Sequence, residues 1–143
     1  MINVNTYHKY IAKLKIDIEN WINTNDYKDW SWSEEISSLP LLLDKCLDIY
    51  DMDNIPSILK TKAEGVIEYA ESDFDHLSEA ILGNRGLADD LFIAALYLKE
   101  SNEVYNISLD TEIINKVDYI ISISKKMLGE STYHKCQVTY KNF

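Results

Sequence analysis

Residues 87–99 read LADDLFIAALYLK, and this stretch decides the fold. Apart from two aspartates near its start, it is apolar on more than one side when it is wound into a helix. A helix of this kind belongs in the interior, because an exposed face would leave apolar surface in water. The sequence therefore predicts a central buried helix with other helices packed around it.

The rest of the chain has the spacing of helices that would surround this one. Apolar residues recur every three or four positions over about 5–23, 40–50, 59–70, 74–82 and 113–123. The tail, 130–143, instead alternates weakly through Cys136, Val138 and Tyr140, which favours a strand or an irregular end. Glycine and proline total only six, which disfavours a many-turned all-β protein. We expect one all-α domain over residues 1–143, a compact bundle of five to seven helices.

The composition excludes several classes of function. The 143 residues carry a net charge of −10, which disfavours direct binding to nucleic acid or to an anionic membrane. No apolar run approaches the ~20 residues that span a bilayer, and no signal peptide is visible. Two cysteines do not make a disulfide framework. A reduced, cytoplasmic protein is the simplest expectation.

The negative charge is concentrated in the middle of the chain. Residues 33–112 carry 18 acidic and five basic residues, whereas residues 113–143 carry two acidic residues and five lysines. Within 64–90 there are eight acidic residues and one arginine, and helical spacing would align five of the acids: Glu64, Glu68, Glu71, Asp75 and Glu79. Like charges one turn apart each cost a few tenths of a kcal/mol, which a cationic partner or a metal ion would relieve. A solvated face of an acidic protein is the alternative interpretation.

Residues 75–90 read DHLSEAILGNRGLADD, and this segment resembles the YkvA-like domain, a small bacterial helical family of unknown function. The resemblance rests on two glycines and on acidic residues at family positions, namely Asp75, Glu79, Gly83, Gly86, Asp89 and Asp90. Leu77 takes the aliphatic place, and residues 91–98 match the apolar helix that follows. Ser78 stands where the family has proline. The resemblance covers at most residues 60–100 and implies a helical fold without implying a reaction.

The same segment suggests a metal site as an alternative. Carboxylates from two elements joined by a short glycine turn can converge, and Mg²⁺ and Ca²⁺ prefer oxygen ligands. The candidate ligands are Asp75, His76, Glu79, Asp89 and Asp90. Capping of a new helix would explain one of the two aspartates, and it is the preferred interpretation of Asp89 or Asp90 taken singly.

Aromatic residues are candidates for anchoring a partner protein. Trp30 and Trp32 cluster in a stretch without helical spacing, and such residues either anchor protein interfaces or close a small core. We expect a non-catalytic acidic module without a cofactor that docks on a basic partner protein. The carboxylates at 64, 68, 71, 75, 79, 89 and 90 would steer the encounter, and Trp30, Trp32 or Tyr69 would anchor it. Immunity proteins and phage inhibitors are analogous in charge and size. Self-association through residues 91–98 is a further possibility.

Overall fold

The computed structural model describes residues 2–23, 32–71 and 87–143. These ranges contain no strand and form six helices of at least 12 residues and one single turn. In chain order the elements are α1 (Val4–Ile22), α2 (Ser33–Ile36), α3 (Leu39–Tyr50), α4 (Ser57–Glu71), α5 (Ala88–Glu103), α6 (Thr111–Leu128) and α7 (Glu130–Lys141). The predicted all-α bundle of five to seven helices is confirmed.

Helix α5 is the centre of the bundle, as the sequence predicts. It packs against α3, α4, α6 and α7, while α1 packs on the outer side of α3. Residues 88–95 are all buried, so α5 has no solvent-facing side over its first two turns. Burial of this much apolar surface, at roughly 25 cal/mol per Å², is the main stabilising contribution to the fold.

Local signals set the helix ends. The side chain of Asn3 accepts a hydrogen bond from the Thr6 amide at 3.1 Å, which caps α1. Pro40 lies in the first turn of α3, where its missing N–H costs nothing. Gly129 separates α6 from α7 with a φ of 82°, a conformation that other residues rarely adopt.

The C-terminal tail differs from the sequence expectation, because residues 130–141 form helix α7 rather than a strand or an irregular end. Cys136 and Tyr140 are both buried and lie one turn apart on the same face of the helix. Val138, the middle member of the apparent alternation, is 58% exposed. The side chains that pack inward thus follow a four-residue step, and the two-residue step was accidental. The ring of Tyr133 stacks on Phe92 with centroids 5.0 Å apart, which fixes α7 on α5.

A membrane-spanning helix is not found in the described ranges, where each helix is too short or too polar to cross the hydrocarbon region.

Candidate functional site

Three predicted acidic residues lie on one face of α4. Glu64, Glu68 and Glu71 occupy positions i, i+4 and i+7, which places them within about 60° of arc around the helix. Glu68 and Glu71 are exposed, and Glu64 is half-buried. We call these three residues the α4 acidic face. Their spacing follows directly from the sequence, because α4 is a regular helix over its whole length.

Tyrosine hydroxyls contact this face from α1 and α3. The Tyr50 hydroxyl donates to Glu64 Oε1 at 3.3 Å. Burial, together with a hydrogen bond to Glu71 and the charges of Glu71 and Glu68, raises the pKa of Tyr7 to about 12. The Tyr7 hydroxyl therefore stays protonated near neutral pH. The hydrogen bond from Tyr50 orients the Glu64 carboxylate without cancelling its charge.

The backbone of α4 is held against α1 next to this face. The Tyr10 hydroxyl donates to the Ala70 carbonyl oxygen at 2.8 Å. This bond joins the middle of α1 to the last turn of α4, beside Glu71. The α4 acidic face therefore lies on a helix that is fixed from two sides, by α1 and by α3.

The ion pairs of the described residues lie elsewhere. Lys62, on α4 itself, places its Nζ 2.8 Å from Glu100 Oε1. Lys99 pairs with Asp118 at 2.9 Å and with Glu103 at 3.2 Å. Within the described ranges, no basic side chain forms an ion pair within 4.0 Å of the α4 acidic face. The negative charge of this face is therefore left uncancelled by those lysines and histidines.

Asp89 and Asp90 do not belong to an exposed patch, and a contact of these two residues with a partner stays a prediction. They are 0% and 1% exposed in the first turn of α5. The Tyr69 hydroxyl donates to Asp89 Oδ2 at 2.8 Å, which connects α4 to the start of α5. The physical reason is that α5 is buried on all sides, so its first-turn acids are buried with it. A negative side chain is favourable there because the helix dipole is positive at that end.

The predicted aromatic anchors are used inside the fold where the structure describes them. Trp32 precedes α2 and is half-buried against the core. Tyr69, with its hydroxyl on Asp89, also packs its ring near Phe143, with centroids 6.3 Å apart. Trp30 lies outside the described residues. An interface role for these aromatics stays a prediction.

Three of the five candidate metal ligands also lie outside the described residues, namely Asp75, His76 and Glu79. In the parts of the chain that are described, no group of three or more His, Cys, Asp or Glu side chains is arranged to hold a metal ion. The metal alternative, with Mg²⁺ or Ca²⁺, therefore stays a prediction.

A polar cluster that no sequence pattern predicts lies where α4, α5 and α7 meet. Glu100 Oε1 accepts from Lys62 at 2.8 Å and from the Tyr140 hydroxyl at 3.0 Å. The Lys62 ammonium also lies 4.6 Å from the centroid of the Tyr140 ring, a cation–π contact. Burial, with the charge of Glu100, raises the pKa of Tyr140, so its hydroxyl remains a donor. The cluster joins residues about 40 positions apart, and sequence spacing contains no signal for it.

Cys46 lies in the core close to this cluster. It is fully buried, and burial raises the pKa of its thiol. A thiol of this kind is unreactive, since the thiolate is the nucleophile. Cys46 is therefore a core residue.

No protein-family model matches the chain, and neither the curated proteins nor the solved structures include a significantly similar one. The resemblance of residues 60–100 to the YkvA-like domain stays a prediction that rests on the residues quoted for it.

Proposed function

We propose that this chain is a non-catalytic protein-binding module that docks on a basic surface of a partner protein through the α4 acidic face. The observation that carries the proposal is the placement of the lysines. Lys62 and Lys99 pair with other carboxylates, and the three carboxylates of α4 have no cation within 4.0 Å among the described residues.

The repulsion between the like charges of the α4 acidic face supports a role in binding. Like charges one helical turn apart destabilise an exposed helix by a few tenths of a kcal/mol per pair. Lys62 lies on the same helix, and Lys60 lies one turn before Glu64. Lys60 is nevertheless placed over the ring of Tyr50, 5.5 Å from its centroid. A basic partner would supply the missing positive charge and relieve the repulsion.

The tyrosine contacts support the same role. The Tyr50 hydroxyl holds Glu64 by a neutral hydrogen bond at 3.3 Å, and Tyr7 lies beside Glu71, so Glu64 in particular needs little reordering on binding. Ordering a flexible side chain at an interface costs roughly 0.5–1.5 kcal/mol, and preorganised carboxylates avoid part of that cost. Glu68 lies between them, exposed to an approaching partner.

Asp89 and Asp90 are not part of this binding surface, because both are buried. The proposed contact is therefore smaller than the stripe expected from the sequence. Asp75 and Glu79, which the sequence places on the same stripe, lie outside the described residues. Immunity proteins and phage inhibitors remain analogies in charge and size only.

A charge-reversal pull-down tests the proposal. The immobilised wild-type chain, Glu68→Lys/Glu71→Lys and a control, Glu112→Lys/Glu130→Lys, are compared on the same cell extract. The control reverses two exposed acids on α6 and α7, so the net charge changes equally. We expect a basic protein that the wild type and the control retain and the α4 variant loses.

The retained protein, once purified, is then measured by stopped-flow mixing. Electrostatic docking predicts an association rate that falls steeply with added salt and in the α4 variant. Equal loss in both double variants, or an association rate that is independent of salt, would contradict the proposal.

A further inference from the structure

A second candidate binding site is a small cleft between α2 and α6, which shares no residue with the α4 acidic face. The cleft has a volume of about 150 Å³, and its lining residues are Glu34, Glu35, Ser38, Lys116, Tyr119 and Ile120. A cavity of that volume holds a molecule the size of benzene. The cleft therefore suits a small chemical group rather than a large ligand.

Its charged groups, which all belong to described residues, form no ion pair with one another within 4.0 Å. Within the ranges that the structure describes, none of Glu34, Glu35 and Lys116 forms an ion pair within 4.0 Å. Oε1 of Glu35 accepts from the Tyr119 hydroxyl at 3.3 Å. Oε2 of the same carboxylate is buried and has no hydrogen-bond donor there. A buried acceptor without a donor is costly, so the carboxylate has capacity for one more donor.

An exposed aromatic ring stands beside this carboxylate. Tyr119 is 51% exposed, and the charge of Glu35 raises the pKa of its hydroxyl. The electron-rich face of a tyrosine ring attracts a cation, and guanidinium groups stack on such rings. Two carboxylates and a ring at one cleft therefore match a planar cation with several N–H donors.

We propose that the cleft between α2 and α6 binds an alkylguanidinium group such as that of arginine. The guanidinium donates to the Glu35 oxygen that faces the cleft, and the terminal torsion of the glutamate is soft enough to present either oxygen there. The ring of Tyr119 contacts its flat face, and Glu34 adds a second negative charge. An ammonium group has the same charge but lacks the planar fork, so it binds more weakly.

Lys116 distinguishes two sources of the guanidinium. Lys116 lines the same cleft, and its positive charge attracts a carboxylate. Free arginine carries a carboxylate next to its ammonium, whereas an arginine residue inside a polypeptide carries neither charge. Free arginine should bind more tightly than blocked arginine, and only while Lys116 is present, if the natural ligand is the amino acid.

Amide chemical shifts in ¹⁵N-labelled protein test this site. The probes are N-acetyl-arginine-N-methylamide, free arginine and N-acetyl-lysine-N-methylamide. We expect saturable shifts at residues 33–38 and 116–120 with blocked arginine, and binding that is several-fold weaker for blocked lysine. Equal affinity for blocked arginine and free arginine points to an arginine of a polypeptide. A preference for free arginine that Lys116→Gln abolishes points to the amino acid.

Variants make the test specific. Glu35→Gln should weaken binding of blocked arginine by about tenfold or more, since it removes a charge-assisted pair. Glu112→Gln removes the same charge from an exposed site outside the cleft and should leave the affinity unchanged. If Glu35→Gln is poorly folded, Tyr119→Ala provides the same comparison. Absence of saturable shifts, an unchanged affinity in the cleft variants, or equal binding of lysine would overturn the proposal.

Discussion

The ring of Phe143 lies directly against Gly65, in the middle of α4. A Cβ at position 65 would lie 2.5 Å from Cγ of that ring, a distance that real Cβ contacts do not reach. Gly65 is helical, and glycine in a helix costs about 1 kcal/mol relative to alanine. The glycine is therefore explained by close packing, because only a residue without a side chain lets Phe143 seat between α4 and Tyr140.

This contact predicts a strong coupling between two substitutions. Gly65→Ala alone gains helix propensity but displaces the Phe143 ring, so the two effects oppose each other. In a Phe143→Ala background the clash is gone, and Gly65→Ala should stabilise the protein by up to about 1 kcal/mol. Urea unfolding of the four proteins gives the coupling free energy. A Gly65→Ala effect that is identical in both backgrounds would show that the ring does not occupy this position.

The polar cluster of Lys62, Glu100 and Tyr140 predicts that replacing Lys62 and replacing Lys99 have unequal effects on stability. Lys62→Met keeps the aliphatic stem but removes a charge whose side chain is only 12% exposed, so the free energy of unfolding should fall by about 1–3 kcal/mol. Lys99→Met is the matched control on α5. Its partners, Asp118 and Glu103, are more than half exposed, and pairs of this kind contribute less than about 1 kcal/mol. Equal losses, measured by urea unfolding, would contradict the cluster's role.

The raised pKa of Tyr7 predicts that the protein loses stability at alkaline pH. Its pKa is raised from 10.0 to about 12 in the folded protein. Between these two values the unfolded chain binds fewer protons than the folded one, so the free energy of unfolding falls as pH rises. The stabilising contribution is complete below pH 10 and is lost as pH approaches about 12.

Removing the hydroxyl should reduce this pH dependence. Tyr7→Phe should unfold with a shallower slope against pH above 10 than the wild type, measured in urea at closely spaced pH values. Tyr105→Phe is the control, because the Tyr105 hydroxyl makes no hydrogen bond with the described residues. If the two variants have the same slope, burial beside Glu71 and Glu68 does not raise the pKa of Tyr7 in the folded protein.

Calorimetry separates the partner-binding account from the metal alternative. Titration of metal-free protein with Mg²⁺ or Ca²⁺ should give no saturable heat, because Asp89 and Asp90 are enclosed in the core. A stoichiometric site that Asp89→Asn removes, with the circular dichroism spectrum unchanged, would establish the metal alternative instead.

Short-range patterns predicted the helices and failed where the deciding contact was distant in sequence. The apolar spacing of α1, α3, α4 and α6 is a local property, and so is the all-round apolarity of α5. Helix α7 was missed because its inward residues include Tyr140, whose burial depends on Lys62 and Glu100 on other helices. An apparent alternation then suggested the wrong period.

Some features of the candidate site could be predicted from sequence and others could not. The spacing of Glu64, Glu68 and Glu71 could be predicted, since it requires only that the segment is helical. The burial of Asp89 could not, because acidic side chains are normally exposed and its Tyr69 partner lies 20 residues away. The cleft between α2 and α6 could not be predicted from sequence either, since Tyr119 and Glu35 are 84 positions apart.

If the α4 acidic face is the surface that meets a basic partner, it should carry a strongly negative potential in solution. Paramagnetic relaxation of amide protons by a cationic and a matching neutral nitroxide in solution measures the local potential at each residue. We expect the largest cation excess at residues 64, 68 and 71, and its loss in Glu68→Gln/Glu71→Gln. A uniform excess, or a larger one around Glu103 and Asp118, would contradict it.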